Sequence, residues 1–346
     1  MKIKIGIHHN ANSFSDYWIK YCIEQNIDYK LINCYSNSII EETSDCNIIL
    51  WHINQNNYRD NIFAKNLLNV FELAGKKVFP DFKTRWTFDD KISQKYLLES
   101  INAPLPPTYI FYDEKEALAW SKTTTYPKVF KLSCGAGSSN VKLVKSRRIA
   151  IKLIKKVFRS GFNQFDSFVN LRERIRKYQS NIDRSILKII KGVIRLFVPS
   201  EFSKMSRIEK GYIYFQDFIS NNDSDIRIII IGEKAFAIKR MIRDKDFRAS
   251  GSGFIKYEKE FIDIELIKMA FELNDKIKAQ CVAFDFIYSS EYKPLLLEIS
   301  FGFIARLYEK CVGYWDKNLQ FHAGQIHPQC WIIENLIKDF SIKYNL

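Results

Sequence analysis

The sequence predicts an α/β domain with a parallel sheet at its amino terminus, followed by α+β units. Three observations carry this. Short apolar runs alternate with helix-period segments over residues 1–85. The proline-rich stretch NAPLPPTYIF then breaks the chain, and strand pairs joined by short turns follow it. Alternation of the first kind gives a parallel sheet with helical crossovers, and strand pairs of the second kind give antiparallel sheets.

The elements follow in order. Residues 2–8 (KIKIGIH) read as a strand, 13–25 as a helix and 28–34 as a strand. Residues 47–53 (NIILWHI) are another strand, 61–74 a helix ended by Gly75, and KKVFP a short strand. Ligands of parallel sheets sit beyond the carboxyl ends of the strands. Those ends carry His8, His9, Asn10, Trp51 and His52, with loop residues lacking any role as the equal alternative. Residues 89–100 (DDKISQKYLLES) form a helix with acids in its first turn, favourable against the dipole. Strands at 126–133 and 140–144 flank CGAGSS, a small-residue loop suited to anions and equally to a tight hairpin. Strands at 212–219, 225–231 and 234–241 follow, then a loop at 243–254, a helix at about 263–278 and a final hairpin, CVAFDFIYSSEYKPLLLEIS.

Composition bounds the function. The 346 residues are 47% hydrophobic and 27% charged, which is globular. No apolar run approaches the ~18 residues a membrane span needs. The start shows no long apolar stretch after its lysines, so no signal peptide is expected. Seven cysteines without a CxxC argue against a disulfide framework or zinc knuckle, and a reduced cytoplasmic protein is expected. The net charge is +14, and residues 142–210 hold 19 Lys/Arg against 5 Asp/Glu, the entire excess. Within that segment, 186–198 (ILKIIKGVIRLFV) places Lys188, Lys191 and Arg195 along one helical stripe in otherwise apolar surroundings. An interfacial helix on an anionic membrane is one reading, and a lid helix packed on its own domain is the other. No nucleic-acid-binding motif accompanies the charge, so no nucleic-acid partner is expected.

The last hairpin carries the chemistry. Strands pairing symmetrically about Glu291–Tyr292 would set Asp285 opposite Glu298, with Ser300 on the same face. Opposed carboxylates need a cation, and hard oxygen donors suit Mg²⁺ or Mn²⁺. A carboxylate paired with a lysine or turned to solvent is the alternative. Lys131, inside a strand just before the glycine loop, calls for an anionic partner, which phosphate oxygens would supply. Lys91 is a second such candidate. YFQDFI offers backbone polar groups to an adenine edge, with Gln216 and Asp217 beside it.

The order of DDK (89–91), PKVFKLSCGAGSSNV (127–141), FQDFI and DIR (215–227), AIKR (237–240), DFR…GSG (246–253) and FDF…LLLEIS (284–300) resembles the ATP-grasp superfamily over essentially the whole chain. It looks closest to the branch containing ribosomal-protein glutamate ligases. The tail SFGF…CVGYWDKNLQFHAG resembles ATP-grasp proteins found with surface-polysaccharide biosynthesis. The resemblance implies a Rossmann-like preATP-grasp domain over 1–88 and a small lobe over 89–211 with a basic insertion at about 145–210. A large lobe over 212–346 follows, with ATP between the two lobes. It implies Lys91, Lys131 and the loop Gly135, Ala136, Gly137, Ser138 and Ser139 on phosphates. Gln216, Asp217, Phe218 and Ile219 would hold adenine and ribose. Asp285, Glu298 and Ser300 would bind magnesium, with two ions expected. Arg227, Arg240 and Arg248 would face the γ-phosphate and acyl phosphate, and His8, His9, His52 and Arg306 would line the substrate side. Ser300 stands where the family usually has Asn.

The implied activity is an ADP-forming carbon–nitrogen ligase acting through an acyl phosphate. The expected substrates are a sugar, glycan precursor or amino acid in cell-surface polysaccharide synthesis, supplying the carboxylate, and an amine acceptor. A peptide or protein terminus as acceptor, and a non-catalytic ATP-binding module, are the alternatives. The expected location is the cytoplasm, with the inner face of the membrane if 186–198 binds lipid. An oligomer, dimers first, is the prior expectation.

Overall fold

The computed structural model describes residues 3–55, 57–135, 140–179, 185–198, 203, 205, 208–242, 247–249 and 252–344. The amino-terminal unit contains β1 (Lys4–His8), α1 (Phe14–Glu24), β2 (Asp28–Ile32), α2 (Ile39–Glu42), β3 (Ile48–Trp51), α3 (Tyr58–Leu73) and β4 (Lys77–Phe79). Its sheet has the order β2-β1-β3-β4 and is parallel throughout. β3 is buried along its whole length, as its unbroken apolar run IILW requires of a strand covered on both faces. Ser13 caps α1 by accepting from the Ser15 N–H, and Asn57 caps α3 by accepting from Arg59.

The helix α4 (Phe82–Arg85) leads to α5 (Lys91–Ser100), where Asp90 accepts from both Ile92 and Ser93. Next come β5 (Thr108–Phe111), α6 (Glu114–Thr123), β6 (Lys128–Lys131), β7 (Val141–Val144), α7 (Arg147–Arg159) and β8 (Phe162–Asn163). Then follow α8 (Ser167–Gln179), α9 (Ile186–Phe197), β9 (Ile208–Glu209) and β10 (Ile213–Asp217). The small sheet has the order β5-β10-β6-β7. Phe130, Phe215 and Ile213 on one face pack with Ala117, Ala150, Ile154 and Val157 of α6 and α7. The other face carries Lys131 and Tyr214, paired across the strands.

The remaining elements are β11 (Ser224–Ile231), β12 (Lys234–Met241), β13 (Ile255–Lys256), α10 (Ile264–Ile277), β14 (Cys281–Tyr288), β15 (Pro294–Ser300), β16 (Gly313–Asp316), β17 (Phe321–Ala323) and α11 (Pro328–Tyr344). They build a large sheet, β15-β14-β11-β12-β16-β17, with β13 on β12. One face packs Ile226, Ile228, Phe284 and Phe286 against Leu266, Ala270 and Phe271 of α10. The opposite face is divided. Ile229, Ile231, Phe236 and Cys281 join the amino-terminal core, while the remainder carries the charged residues described below.

Two expectations change. The strand placed at 212–219 is shorter and belongs to the small sheet, so the chain crosses to the large sheet after Asp217 rather than before Tyr212. The region 89–211 is likewise not all small lobe, since Leu97 and Leu98 of α5 pack in the core of the large sheet. Local propensity in YFQDFI could not tell which sheet would receive it, because hydrogen-bond partners are set by tertiary pairing.

Gly161 joins α7 to β8 at φ +74°, and an added Cβ would lie 2.8 Å from the backbone oxygen of Glu209. Neither the left-handed backbone nor a main-chain neighbour yields cheaply. Gly161→Ala is expected to lower stability by about 2 kcal/mol or more, read from the urea midpoint. An unchanged midpoint would mean that the α7–β8 corner relaxes freely.

Candidate functional site

The site forms where the small sheet faces the charged half of the large one. The hairpin β14–β15 sets Asp285 directly opposite Glu298, although its turn-side residues pair about Glu291 and not about Glu291–Tyr292. The register then slips by one residue, with Phe286 facing Leu296, so Leu297 is a bulge. Without that extra residue the turn-side pairing would put Glu298 on the opposite face from Asp285. Ser300 pairs with Ala283. Its Oγ donates to the Gly302 carbonyl at 3.3 Å and accepts from the Gly302 N–H at 3.2 Å, so it also organises the turn after β15.

Asp285 is buried, and two arginines partner it. Arg227 is directly across from it on β11 and donates through Nε and an Nη at 2.5 and 2.6 Å. An Nη of Arg240 lies 2.8 Å away. Arg240 also grips Asp225 in a two-bond fork at 2.6 and 2.7 Å. Burial alone would raise the Asp285 pKa, but Arg227 and Arg240 outweigh it and hold the carboxyl well below the ordinary range. Asp225 goes the other way. Burial, aided by the Asp285 charge, pushes it up against the opposing pull of Arg240. Arg227 and Arg240, assigned from sequence to the γ-phosphate, thus share one buried network with the carboxylate assigned to the cation. Asp225 escaped notice, although it lies two residues before Arg227 and so on the same strand face. Tyr308 also belongs here, and its hydroxyl pKa is pushed up to about 12 by burial, with the neighbouring arginines opposing.

Across from this network lie two lysines. Lys131 is 8% exposed and donates to Gln216 Oε1 at 2.7 Å. Burial pushes its pKa down to about 8, and Glu298 and Asp285 act on it in the opposite sense. Lys91, the first residue of α5, donates to the Gly135 carbonyl at 2.9 Å and lies 3.7 Å from Glu298. It therefore connects the stem of the glycine loop to the large sheet. Gly135 has φ +108°, a conformation that favours glycine, and its N–H donates to Asp89 at 2.7 Å. The Ser133 hydroxyl donates to Asp90 at 2.7 Å, and the Ser133 N–H donates to the Tyr212 hydroxyl at 2.7 Å. Tyr212 in turn donates to Glu209. The sequence marked DDK, but the roles of its two aspartates as anchors needed the fold. Ala136, Gly137, Ser138 and Ser139 lie outside the described residues.

At the end of β10 the side chains of Gln216 and Asp217 are committed. Gln216 also donates to Thr108 at 3.0 Å, and Asp217 accepts from the buried Lys128 at 2.5 Å. The backbone and the rings are what this edge offers a flat ligand. Phe218 packs edge-on against Phe247 at 5.7 Å, which brings the residue before Arg248 to the end of β10.

Two of the histidines at the strand ends are packed against aromatic rings, and the third is exposed. His8 is buried against Tyr35 and Trp51, and its Nδ1 accepts from the Cys34 N–H at 3.1 Å. Burial lowers its pKa. His52 stacks on Phe14 at 3.8 Å, and burial pushes it down to about 3, so it stays neutral at physiological pH. His9 contacts Ser15 at 3.0 Å and Asp16 at 3.6 Å. Arg306 is exposed on a short 3₁₀ turn, where its charge acts on Tyr17, a residue hydrogen-bonded to Glu309. None of these described contacts joins the four residues to Lys131 or Glu298.

A cation is tested by the donor set. Among the described residues, no cluster of three or more His, Cys, Asp or Glu is arranged to hold an ion. Magnesium is commonly held by one or two carboxylates plus substrate phosphates. The partly exposed Glu298 fits that mode, Asp285 fits it only by sharing oxygens that already accept from Arg227 and Arg240, and the pair does not fit an all-protein cage.

Comparison with known proteins bears on the fold. A family model described as the RimK-like ATP-grasp domain matches residues 185–313. The alpha-aminoadipate–LysW ligase LysX of Saccharolobus solfataricus is 21% identical over 231 residues, 67% of this chain and 68% of that protein. A RimK domain ATP-grasp protein from Sphaerobacter thermophilus superposes with a TM-score of 0.54 at 11% identity, covering 97% of this chain and 99% of that one. The D-alanine–D-alanine ligase of Bacillus anthracis, solved with ATP, gives 0.56 at 14% identity over 99% of both chains.

Proposed function

We propose that this chain, which has the ATP-grasp fold, is an ATP-dependent carboxylate–amine ligase forming ADP. The observation that supports this reading best is Lys91. It joins the stem of the glycine loop to Glu298, so Lys91 at the start of α5 and Lys131 on the small sheet together face carboxylates of the large sheet.

A carboxylate oxygen of the substrate attacks the γ-phosphorus of ATP, and the bond from that phosphorus to the β,γ-bridging oxygen breaks. ADP leaves with the bond's electrons. The amine then attacks the acyl carbon, phosphate departs, and the amine nitrogen loses a proton. Lys91 and Lys131 hold the phosphates and offset their charge, and the glycine loop covers them. Arg227 and Arg240 keep a positive field over the sheet face, and Arg248 approaches from the loop after β12. Backbone groups of 216–219 receive adenine. Asp285, Glu298 and Ser300 would hold magnesium, or manganese in its place, together with the phosphates, and the ion would supply charge neutralisation. Exclusion of water by the two lobes protects the acyl phosphate from hydrolysis.

For substrates we favour a sugar, glycan precursor or amino acid of cell-surface polysaccharide synthesis, on the resemblance of residues 300–324. A peptide or protein terminus is the second reading. The LysX relative, described as acting on alpha-aminoadipate and LysW, favours it.

The test is ADP release across a panel of amino acids, uronic acids, aminosugars and peptides, with products identified by mass spectrometry. ADP formation requiring both a carboxylate and an amine is expected. Glu298→Gln is expected to cut it about a thousandfold while leaving the fold intact. Nucleotide binding with no acceptor-dependent ADP across the panel would identify a binding module instead.

A further inference from the structure

The ligase reading leaves the basic insertion between β7 and β10 without a task. Its helices α8 and α9 pack as a pair, and the close approach is made at Gly192. A Cβ there would lie 2.9 Å from Leu171 and 3.0 Å from Arg174. Arg174 fastens the pair by donating to the Lys188 carbonyl at 2.7 Å. So α9 sits on α8 by its glycine side.

Its apolar side points the other way. Ile186, Leu187, Ile190, Val193, Ile194 and Phe197 share one helical face, and each is between 43 and 80% exposed. A helix of a globular protein ordinarily turns such a face to the core. Phe168 of α8 adds another exposed ring, 68% open. Beside the apolar row run Lys188, Lys191 and Arg195, and no acid occurs anywhere from 186 to 198.

We infer that α9 docks on an anionic lipid bilayer. The apolar row enters the boundary between headgroups and acyl chains, and the cationic stripe faces lipid phosphates. Charge complementarity selects this occupant. The excess of +14 is confined to residues 142–210, which a negative surface attracts. A second copy would instead bring an equally acid-free stripe against this one, and like charges repel. The chain does not cross the membrane through any described helix, since none is long and apolar enough. The contact is peripheral, and it stands whether or not the ligase reading holds.

The full-length protein is sedimented with vesicles of phosphatidylcholine alone or containing 30% phosphatidylglycerol, at low and at physiological salt. Retention by the anionic vesicles, weakening with salt, is expected. Ile190→Asp with Ile194→Asp should abolish it. Lys191→Glu with Arg195→Glu should weaken it at least about twenty-fivefold, at roughly fivefold per charge. Lys122→Glu with Lys268→Glu makes the same charge change on α6 and α10 and should weaken binding far less. Circular dichroism confirms that the variants remain folded. Equal retention by neutral vesicles, or an equal loss in the α6/α10 control, overturns the proposal. So does concentration-dependent dimerisation in sedimentation velocity that the aspartates abolish while vesicles retain nothing.

Discussion

Lys131→Met is expected to abolish nucleotide binding without weakening the fold. The ammonium is buried between Gln216 and the facing carboxylates, and burial has already lowered its pKa to about 8. At pH 7 about nine-tenths of the lysine still carries its proton. A polyphosphate beside it favours the charged form and raises its pKa in the complex. Affinity should therefore be complete below pH 8 and fall by up to tenfold per unit as pH rises past it. Binding should be accompanied by proton uptake that grows from near zero at pH 7 toward one proton at pH 9. Calorimetry in buffers of different ionisation heat measures that uptake directly. The sign for the unliganded fold is opposite. There the unfolded state binds more protons above pH 8, so stability rises from pH 8 toward the unfolded lysine value. The methionine variant removes a buried charge and should match or exceed the parent's urea midpoint at pH 7. A pH slope that persists in this variant would assign the titration to another group.

Asp285→Ala should do the reverse and damage the fold as well as turnover. It leaves Arg227 and Arg240 buried with one of their two carboxylates gone, and such a loss costs about 3–5 kcal/mol. Replacing Arg227 together with Asp285 by methionine and leucine removes the pair as a unit. It should recover much of that stability while activity stays lost. Glu298→Gln is the contrast, because its side chain is 35% exposed and Lys91 stands 3.7 Å away. It should unfold like the parent and fail only in catalysis. Equal destabilisation by the two single substitutions would mean that Asp285 carries no structural duty beyond the one it shares with Glu298.

Much of this arrangement was legible in the chain because it rests on short-range rules. Strand periodicity and a short hairpin pointed to Asp285 opposite Glu298, but the pairing itself depends on a register shift next to it. The bulge at Leu297 was not legible, since an extra residue in a strand leaves no compositional mark. Lys131 stood out as a charge within an apolar strand, but its bond to Gln216 depends on β10 lying beside β6. For the same reason, Gln216 and Asp217 looked free to meet adenine and ribose, whereas Thr108, Lys131 and Lys128 hold their side chains. His8 and His52 occupy the expected strand ends, yet their neighbours Trp51 and Phe14 make them part of the packing. Sequence showed α9 to be amphipathic. Which side it would present to solvent was decided by Gly192 and its contact with α8.

The short run from Asp89 to Lys91 is the passage out of the amino-terminal unit, and it is also clamped to Ser133 and Gly135. One linker thus serves as both connector and latch. Any displacement of the first domain that drags these residues must pull on Ser133 and Gly135 as well, so a strain applied at one end of the linker reaches the small sheet through three neighbouring side chains.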